Sequence, residues 1–310
     1  MPLNFRNANT PFFTQGKYSL PSPQPTAGGF VEVGTFAKIN LFLGVVGKRP
    51  DGYHDIVSIM QTVGLCDNLS IYMQEEQDRL VTLETNVPYL PTGDSNLVVK
   101  AAKLLMHECK INCPVRIKLE KRIPIGAGLG GGSSNAAATL HGLNALFGLK
   151  ISLDKLMAMG TRLGADVPFC LMGGTALAKG IGEELTPLPP HPPCNIVLAC
   201  PSIHVSTRKI FSKLPQELPS VNVDRFLSAY ETRDIVKIAQ NFENTFTPIT
   251  SGIYPQIANI ITDLQNQGAL GASMTGTGAT VFAYFNDENN AQKACDKLQQ
   301  VHKNTKFFVC

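Results

Sequence analysis

The 310-residue sequence has no long apolar run, no dense block of basic residues and no Cys-x-x-Cys pair. A membrane-spanning helix needs about eighteen or more consecutive apolar residues, so the sequence predicts no membrane partner. A net charge of +3 without a Lys/Arg cluster argues against a nucleic-acid partner. The eight cysteines are scattered through apolar segments, which is typical of reduced thiols. These absences predict a soluble protein of the bacterial cytoplasm, with the plastid stroma as the alternative.

The first thirty residues lack any acidic residue and contain five prolines. A lack of acids is a feature of transit peptides, but Arg6 and Lys17 are too few basic residues for one. No apolar core for secretion is present either. We therefore expect residues 1–30 to form a flexible extension outside the fold.

The remaining chain is long enough for two domains with a sizeable core. Its hydrophobic content of 44% and charged content of 16% are ordinary for a globular enzyme. The proline-rich stretch Pro187–Pro193 predicts a stiff connector. We expect a nucleotide-binding N-terminal domain over residues 31–190 and a C-terminal domain over residues 191–310.

The most informative stretch is residues 124–138, in which five glycines occur within seven residues. Apolar residues then recur at helical spacing as far as Phe147, and Gly148 is a stop signal. A glycine loop that leads into a helix N-terminus points backbone N–H groups at one spot and favours bound anions. The pattern therefore predicts a phosphate-binding loop, and the alternative is a flexible surface loop.

Two well-known glycine loops do not fit this stretch. The Walker loop ends in Gly-Lys followed by Ser or Thr, whereas this loop ends in Gly-Ser-Ser. The dinucleotide fingerprint requires an acidic residue about twenty positions later, and none stands there.

A predicted strand between Val31 and Leu43 contains Lys38 and Asn40, which are two residues apart and therefore share one face. A lysine in a strand is commonly a solvated edge residue. The flanking residues are too apolar for an open edge, which favours a buried functional lysine. Downstream, a Pro-Asp-Gly turn presents Tyr53 and His54, which on their own could be a plain exposed pair.

A second predicted helix starts at Ser152 and ends at Gly164, and Asp166 follows in a turn set by Pro168. An aspartate at this place is either a cap or turn residue, or a carboxylate placed for chemistry. The residues alone leave both interpretations open.

Several motifs together resemble the galactokinase, homoserine kinase, mevalonate kinase and phosphomevalonate kinase (GHMP) superfamily. The glycine loop resembles its second motif, and Gly164–Phe169 resembles the element that carries its catalytic acid. Residues 271–283 resemble its third motif, with Thr275 where serine is more usual. The resemblance runs from about residue 31 to the end. It implies an α+β fold with a ribosomal-protein-S5-domain-2-like N-terminal part, a ferredoxin-like C-terminal part and the site between them.

Residues 37–43 followed by residues 49–54 resemble one branch of that superfamily, whose small-molecule substrate carries a cytidine diphosphate group. This resemblance implies ATP-dependent phosphorylation of a tertiary C2 hydroxyl in the methylerythritol phosphate route to isoprenoid precursors. The protein would act as a monomer or homodimer. Two alternatives stay open: a mevalonate- or homoserine-type kinase of the same superfamily, and a nucleotide-binding regulator without activity.

The resemblance also implies roles for individual residues. Asp166 would be the catalytic base, and Lys38 beside it would keep the carboxylate ionised and support the developing alkoxide. The ATP-binding residues implied are Lys121, Pro124, Gly126, Gly128, Leu129, Gly130, Gly131, Gly132, Ser133, Ser134 and Asn135. ATP is expected with Mg²⁺, which Ser133 or Ser134 could face, but the sequence identifies no metal ligand.

The substrate-binding residues implied are Asn40, Tyr53, His54, Asn96, Thr207, Phe211, Gly276, Thr277 and Gly278. Among them, Tyr53 would stack on the cytosine with Phe211 opposite, and His54 would hydrogen-bond the base. Asn96 and Lys121 also fit plain structural roles, in a first helical turn and at a strand end, and Phe211 fits a core position. The sequence predicts that Asp94 or Ser95 caps a helix over residues 96–107, and that a further helical stretch lies around residues 225–239.

Overall fold

A computed structural model describes residues 29–75 and 79–310. The flexible extension expected over residues 1–30 falls almost wholly outside this range. The strands are β1 Phe30–Lys48, β2 His54–Met73, β3 Val81–Thr85, β4 Val115–Glu120, β5 Thr175–Lys179, β6 Glu184–Pro187, β7 Asn195–Pro201, β8 Glu243–Asn244, β9 Gly271–Met274, β10 Val281–Phe285 and β11 Thr305–Val309. The helices are α1 Leu97–Glu108, α2 Gly131–Leu146, α3 Leu153–Thr161, α4 Val167–Met172, α5 Thr207–Phe211, α6 Val223–Glu231, α7 Ile235–Ala239, α8 Thr247–Ile253, α9 Gln256–Asn266 and α10 Glu288–Val301.

The first sheet has seven strands and is built on the long hairpin of β1 and β2, which closes where Lys48 pairs with His54. Its main order is β3-β4-β2-β1-β8, while β5 lies beside the first part of β2 and β6 lies beside β5. The β3–β4 and β1–β8 pairs are parallel and the other pairs are antiparallel. Helices packed on this mixed sheet and on a second, antiparallel sheet make the fold α+β, as predicted.

The burial of the side chains in β1 changes along the strand. The strand starts with alternating burial, but residues 37–45 are all buried. The pairing with β2 shifts register between Asn40 and Phe42, next to the polar residues of interest. Lys38 is only 6% exposed, so the solvated-edge interpretation of this lysine is excluded.

The second sheet has the order β11-β7-β10-β9 and is antiparallel throughout. One hydrophobic cluster takes Ile39 and Phe42 from β1 together with Leu198 and Phe282 from this sheet. The chain passes from the first sheet to the second between β6 and β7, yet β8 returns to pair with β1 beside Phe42. The two predicted domains therefore share part of one hydrophobic core, and the boundary between them at residue 190 stays a prediction.

The helices follow the sequence signals with two corrections. Helix α2 begins at the glycine loop and ends before Gly148, as expected. The N-cap of α1 is Asn96, not Asp94 or Ser95, because the Asn96 side chain accepts a hydrogen bond from the Val98 N–H at 2.9 Å. The helical stretch expected over residues 225–239 is two helices, broken where Arg233 adopts a positive φ of 59°. In the ranges described, no helix is both long and apolar enough to cross a bilayer.

The connector between β6 and β7 contains a buried histidine, His191. Its Nδ1 lies 2.6 Å from the Pro192 carbonyl oxygen and its Nε2 lies 3.1 Å from the Tyr284 hydroxyl. A neutral ring fits these partners, donating through Nδ1 and accepting through Nε2. Burial lowers the pKa of His191 from 6.5 to about 4.

This histidine predicts a loss of stability on acidification. Between the unfolded pKa of about 6.5 and the folded pKa of about 4, the unfolded chain binds a proton that the folded chain does not. The free energy of unfolding should therefore fall by about 2 kcal/mol from this group alone between pH 7 and pH 5. Urea denaturation at both pH values should show a smaller loss in His191→Gln. The exposed-site control His107→Gln should keep the wild-type loss, and an equal loss in all three proteins would contradict the assignment.

Candidate active site

Lys38 and Asp166, the two residues expected to carry the chemistry, meet in the structure. Lys38 comes from the buried part of β1, and Asp166 lies immediately before α4. The Lys38 Nζ is 3.3 Å from the Asp166 Oδ2, and the side chains are 7% and 32% exposed. The pair thus combines a carboxylate that is open enough to meet a ligand with a cation that is held below the surface.

Asn40 holds the lysine in place through its side-chain amide. The Asn40 Oδ1 accepts hydrogen bonds from the Lys38 Nζ at 2.9 Å, the Thr275 Oγ1 at 3.1 Å and the Gly276 N–H at 3.1 Å. The Asn40 Nδ2 donates to the Ser58 Oγ at 2.8 Å. Two of these three bonds come from the turn that follows β9 (residues 275–280), so the Asn40 amide joins Lys38 to that turn.

The glycine loop is packed between β1 and that same turn. The Lys38 N–H donates to the Leu129 carbonyl oxygen at 3.0 Å, and the Thr280 N–H donates to the Ala127 carbonyl oxygen at 3.3 Å. Gly128 has a φ of +79°, and a Cβ there would lie 2.8 Å from the Thr275 carbonyl oxygen. A Cβ at Gly130 would lie 2.9 Å from the Lys38 Cγ. The loop approaches these neighbours so closely that side chains at Gly128 and Gly130 do not fit.

A cavity of about 360 Å³ lies along the glycine loop. Its lining consists of Leu90, Pro91, Ser95, Asn96, Leu97, Leu119, Lys121, Asn135 and residues 124–133. The first N–H groups of α2 have no carbonyl partner within their own helix, and the first turn carries no acidic residue. The cavity therefore offers the N-terminal end of a helix dipole to an anionic ligand.

The expected ATP-binding residues gather at this cavity, with Ser134 buried behind it. Asn96, expected on the substrate side, also lies here, and its Nδ2 donates to the Pro91 carbonyl oxygen at 2.6 Å. The Lys121 ammonium is engaged by the Asp67 Oδ2 at 2.5 Å and donates to the Asn135 Oδ1 at 3.0 Å.

Asp67 is a residue that sequence reasoning missed. It lies on β2 with no exposed surface, and it is the ion-pair partner of Lys121. The sequence carries only a weak signal for it, because Asp67 stands in a polar pair with Asn68 within a strand that also contains Asp55 and Gln61.

The remaining expected residues form a second group. The His54 ring lies 5.3 Å from the Phe211 ring, which also packs at 4.7 Å against Phe246. Tyr53, in the turn before β2, is 61% exposed. The structure thus brings Phe211 to His54, while Tyr53 stands out from the surface.

The turn after β9 connects this group to Lys38 and Asp166. The Thr207 and Thr277 hydroxyl oxygens are 3.2 Å apart, and the Thr250 hydroxyl donates to the Thr277 carbonyl oxygen. Gly276 bonds Asn40 as described, and Gly278 approaches the glycine loop at Gly128.

Cys170 on α4 lies close to Asp166, since its backbone N–H donates to the Asp166 carbonyl oxygen at 3.1 Å. Burial, assisted by the negative charge of Asp166, raises the pKa of the Cys170 thiol far above its ordinary value. The thiol is protonated at neutral pH and is a poor nucleophile.

Comparison with known proteins places the chain in a family. The description "GHMP kinases N terminal domain" matches residues 96–174, and "GHMP kinases C terminal" matches residues 226–304. The chain is 45% identical over 266 residues to a 4-diphosphocytidyl-2-C-methyl-D-erythritol kinase of Lachnoclostridium phytofermentans, covering 85% of this chain and 91% of that protein. The chain belongs to the 4-diphosphocytidyl-2-C-methyl-D-erythritol kinase family of GHMP kinases.

Other relatives of this GHMP kinase agree. A protein of the same name from Caldicellulosiruptor bescii is 43% identical over 268 residues, which is 85% of this chain and 92% of that protein. A solved structure of a 4-(cytidine 5'-diphospho)-2C-methyl-D-erythritol kinase superposes with a TM-score of 0.76 at 31% identity, covering 90% and 97% of the two chains. A homoserine kinase from Cytophaga hutchinsonii, at 20% identity and a TM-score of 0.69 over 90% of this chain and 93% of that one, shares the fold. The superfamily and fold expected from the motifs are confirmed.

Proposed function

We propose that this GHMP kinase transfers the γ-phosphoryl group of ATP to the C2 hydroxyl of 4-diphosphocytidyl-2-C-methyl-D-erythritol, in the methylerythritol phosphate route. The contact between Lys38 and Asp166 beside the glycine loop carries the chemical part of the proposal. The identity of 45% to a kinase of that name supports the choice of substrate. The cytoplasmic location and the monomeric or homodimeric state remain predictions.

Each side chain of the pair has a defined task in this reaction. The Asp166 carboxylate accepts the proton of the C2 hydroxyl as the oxygen attacks the γ-phosphorus. The Lys38 ammonium, 3.3 Å away, balances the negative charge that develops on the attacking oxygen. Phosphoryl transfer depends mainly on position and charge, and the glycine loop holds the phosphates in line with the hydroxyl.

Mg²⁺ bound to ATP would supply charge neutralisation on the β- and γ-phosphates. The ion commonly takes one or two protein oxygen atoms and satisfies its other positions with phosphate and water. Within residues 29–75 and 79–310, no group of three or more His, Cys, Asp or Glu side chains could hold a metal by itself. The half-buried Ser133 in the first turn of α2 would suit an ion that arrives with the nucleotide.

The cytidine end of the substrate would meet Tyr53 and His54. Tyr53 presents its ring to solvent, and the turn that carries it is closed by the Arg49 N–H bond to the Tyr53 carbonyl oxygen at 2.8 Å. An exposed aromatic ring on an ordered turn is a suitable stacking surface for a nucleobase. His54, packed on Phe211, supplies ring nitrogens for the edge of the base.

Removal of the Tyr53 ring should weaken acceptor binding selectively. Base stacking contributes roughly 1–3 kcal/mol, so Tyr53→Ala should raise the KM for the cytidine substrate by about tenfold or more. The KM for ATP should stay within about twofold, since Tyr53 does not line the loop cavity. Steady-state kinetics should also show near-normal values in the matched variant Tyr53→Phe. An acceptor KM in Tyr53→Ala that equals the wild-type value would rule out stacking.

ADP release with ATP and Mg²⁺ tests the choice of acceptor. The proposal predicts ADP formation with 4-diphosphocytidyl-2-C-methyl-D-erythritol and none above background with mevalonate or homoserine. Turnover of either control alcohol in preference to the cytidine compound would make the protein a sister kinase. ATP binding without turnover of any acceptor would make it a regulator.

A further inference from the structure

The glycine loop has a buried anchor at the side away from the catalytic pair. Asp67 on β2 has no exposed surface, yet its carboxylate is fully supplied with hydrogen-bond donors. The Oδ1 accepts the N–H groups of Arg122 at 2.6 Å and Ile123 at 2.8 Å. The Oδ2 accepts the Lys121 Nζ at 2.5 Å and the Asn135 Nδ2 at 2.8 Å. Each oxygen thus receives two donors, as a buried carboxylate requires.

The donors come from the two ends of the glycine loop. Residues 121–123 follow the end of β4 and lead into the loop, while Asn135 lies in the early part of α2, just after it. A second hydrogen bond holds the Asn135 side chain, since its Nδ2 also donates at 2.7 Å to the Oγ1 of Thr35, which lies on β1. One carboxylate on the central hairpin therefore holds the entry and the exit of the loop in a fixed relation.

We infer that Asp67 is a positioning residue for the nucleotide: it sets the width and orientation of the glycine loop through Lys121, the two N–H groups and Asn135. This inference rests on the proposed kinase function. It gives Lys121 a task different from direct charge pairing with phosphate, because the ammonium is already bound to Asp67 and the side chain is only 5% exposed. The Lys121 Nζ would be 3.1 Å from a Cβ at Gly131, so it lies directly under the first residue of α2.

Asp67→Asn is the sharpest test, because it keeps the size of the side chain. The amide oxygen can still accept the Arg122 and Ile123 N–H groups, but the amide nitrogen then faces the Lys121 ammonium and the Asn135 amide, which are both donors. Loss of these two bonds should release Lys121 at the loop entry and Asn135 at the loop exit, so that the two ends of the loop can move apart. We expect the KM and Kd for ATP to rise about 10- to 100-fold, while the KM for the alcohol changes less than about threefold.

A rise in the KM for ATP without a comparable rise in the KM for the alcohol distinguishes a positioning role from general destabilisation. Leu298→Ala, in the core against the second sheet, serves as a control that lowers the melting temperature without touching the loop, and both its KM values should stay normal. Thr35→Val leaves Asp67 intact and removes one support of Asn135. It should raise the KM for ATP in the same direction by a smaller factor, and it keeps the inference testable if Asp67→Asn fails to fold.

Calorimetric titration of ATP into each variant gives the Kd without any acceptor. Normal ATP affinity in folded Asp67→Asn would overturn the inference, as would an equal rise of both KM values. If Asp67→Asn does not fold, a wild-type KM for ATP in Thr35→Val has the same meaning. A wild-type protein that binds ATP but does not phosphorylate the cytidine substrate would instead contradict the proposed function, so the two failures remain distinguishable.

Discussion

Asp166→Asn is expected to reduce kcat by about 10³-fold or more while leaving both substrates bound. An amide cannot accept the hydroxyl proton, and general-base catalysis contributes typically 10²–10⁴-fold. The substitution also removes the anionic partner of the Lys38 ammonium, which then keeps only its hydrogen bond to Asn40. Asp166 does not line the cavity along the glycine loop, so the Kd for ATP should stay within about threefold of the wild-type value.

Single-turnover kinetics with saturating ATP should measure this loss directly. Asp154→Asn is a suitable control, because Asp154 is an exposed carboxylate in the first turn of the neighbouring helix α3. That variant should retain the wild-type rate. If Asp166→Asn turned over at a rate near that of the control, Asp166 could not be the base, and Lys38 would lose the argument for its role as well.

Gly128→Ala should be the second most damaging substitution. Its Cβ would lie 2.8 Å from the Thr275 carbonyl oxygen and 2.9 Å from the Gly278 carbonyl oxygen, and backbone atoms cannot swing away as side chains do. The loop or the turn after β9 must shift, and Thr275 is hydrogen-bonded to Asn40 beside Lys38. A displacement of about 1 Å at a reacting centre can reduce the rate by about 10²-fold, so we expect a loss of that size in kcat/KM for ATP.

The chain provides a matched control for backbone strain. Gly148 also has a positive φ, +58°, but a Cβ there would meet nothing within 4 Å. Gly148→Ala should therefore show only the destabilisation of about 1 kcal/mol that is expected for an L residue in this region, with normal kinetics. Comparable kinetic losses in Gly128→Ala and Gly148→Ala would mean that contact with the turn after β9 is unimportant.

The sequence was most informative where a pattern is local. The glycine loop, the start of α2 and the buried strand around Lys38 follow from composition and spacing within short windows. The helix start near residue 96 could be located only approximately, since Asp94, Ser95 and Asn96 are all good capping residues. Asn96 takes the position because its backbone is extended and its amide also reaches the Pro91 carbonyl oxygen.

Features that depend on distant parts of the chain could not be predicted. Asp67 contacts Lys121 and Asn135, which are 54 and 68 positions away, and no short-range pattern in the sequence links them. Strand β8 has only two residues and exists because it pairs with Phe42 and Leu43 of β1. The packing of Phe211 on His54 likewise joins residues that lie far apart in the sequence.

Transfer of the phosphoryl group to the tertiary C2 oxygen at the Lys38–Asp166 pair can be followed by ³¹P NMR of the product. C2 carries no hydrogen, so the new phosphomonoester signal should lack P–O–C–H splitting, should grow in step with ADP and should be absent with Asp166→Asn. A signal split by protons would mean that a primary or secondary hydroxyl is phosphorylated. ADP formation without a new ester, or an undiminished signal from Asp166→Asn, would contradict the account.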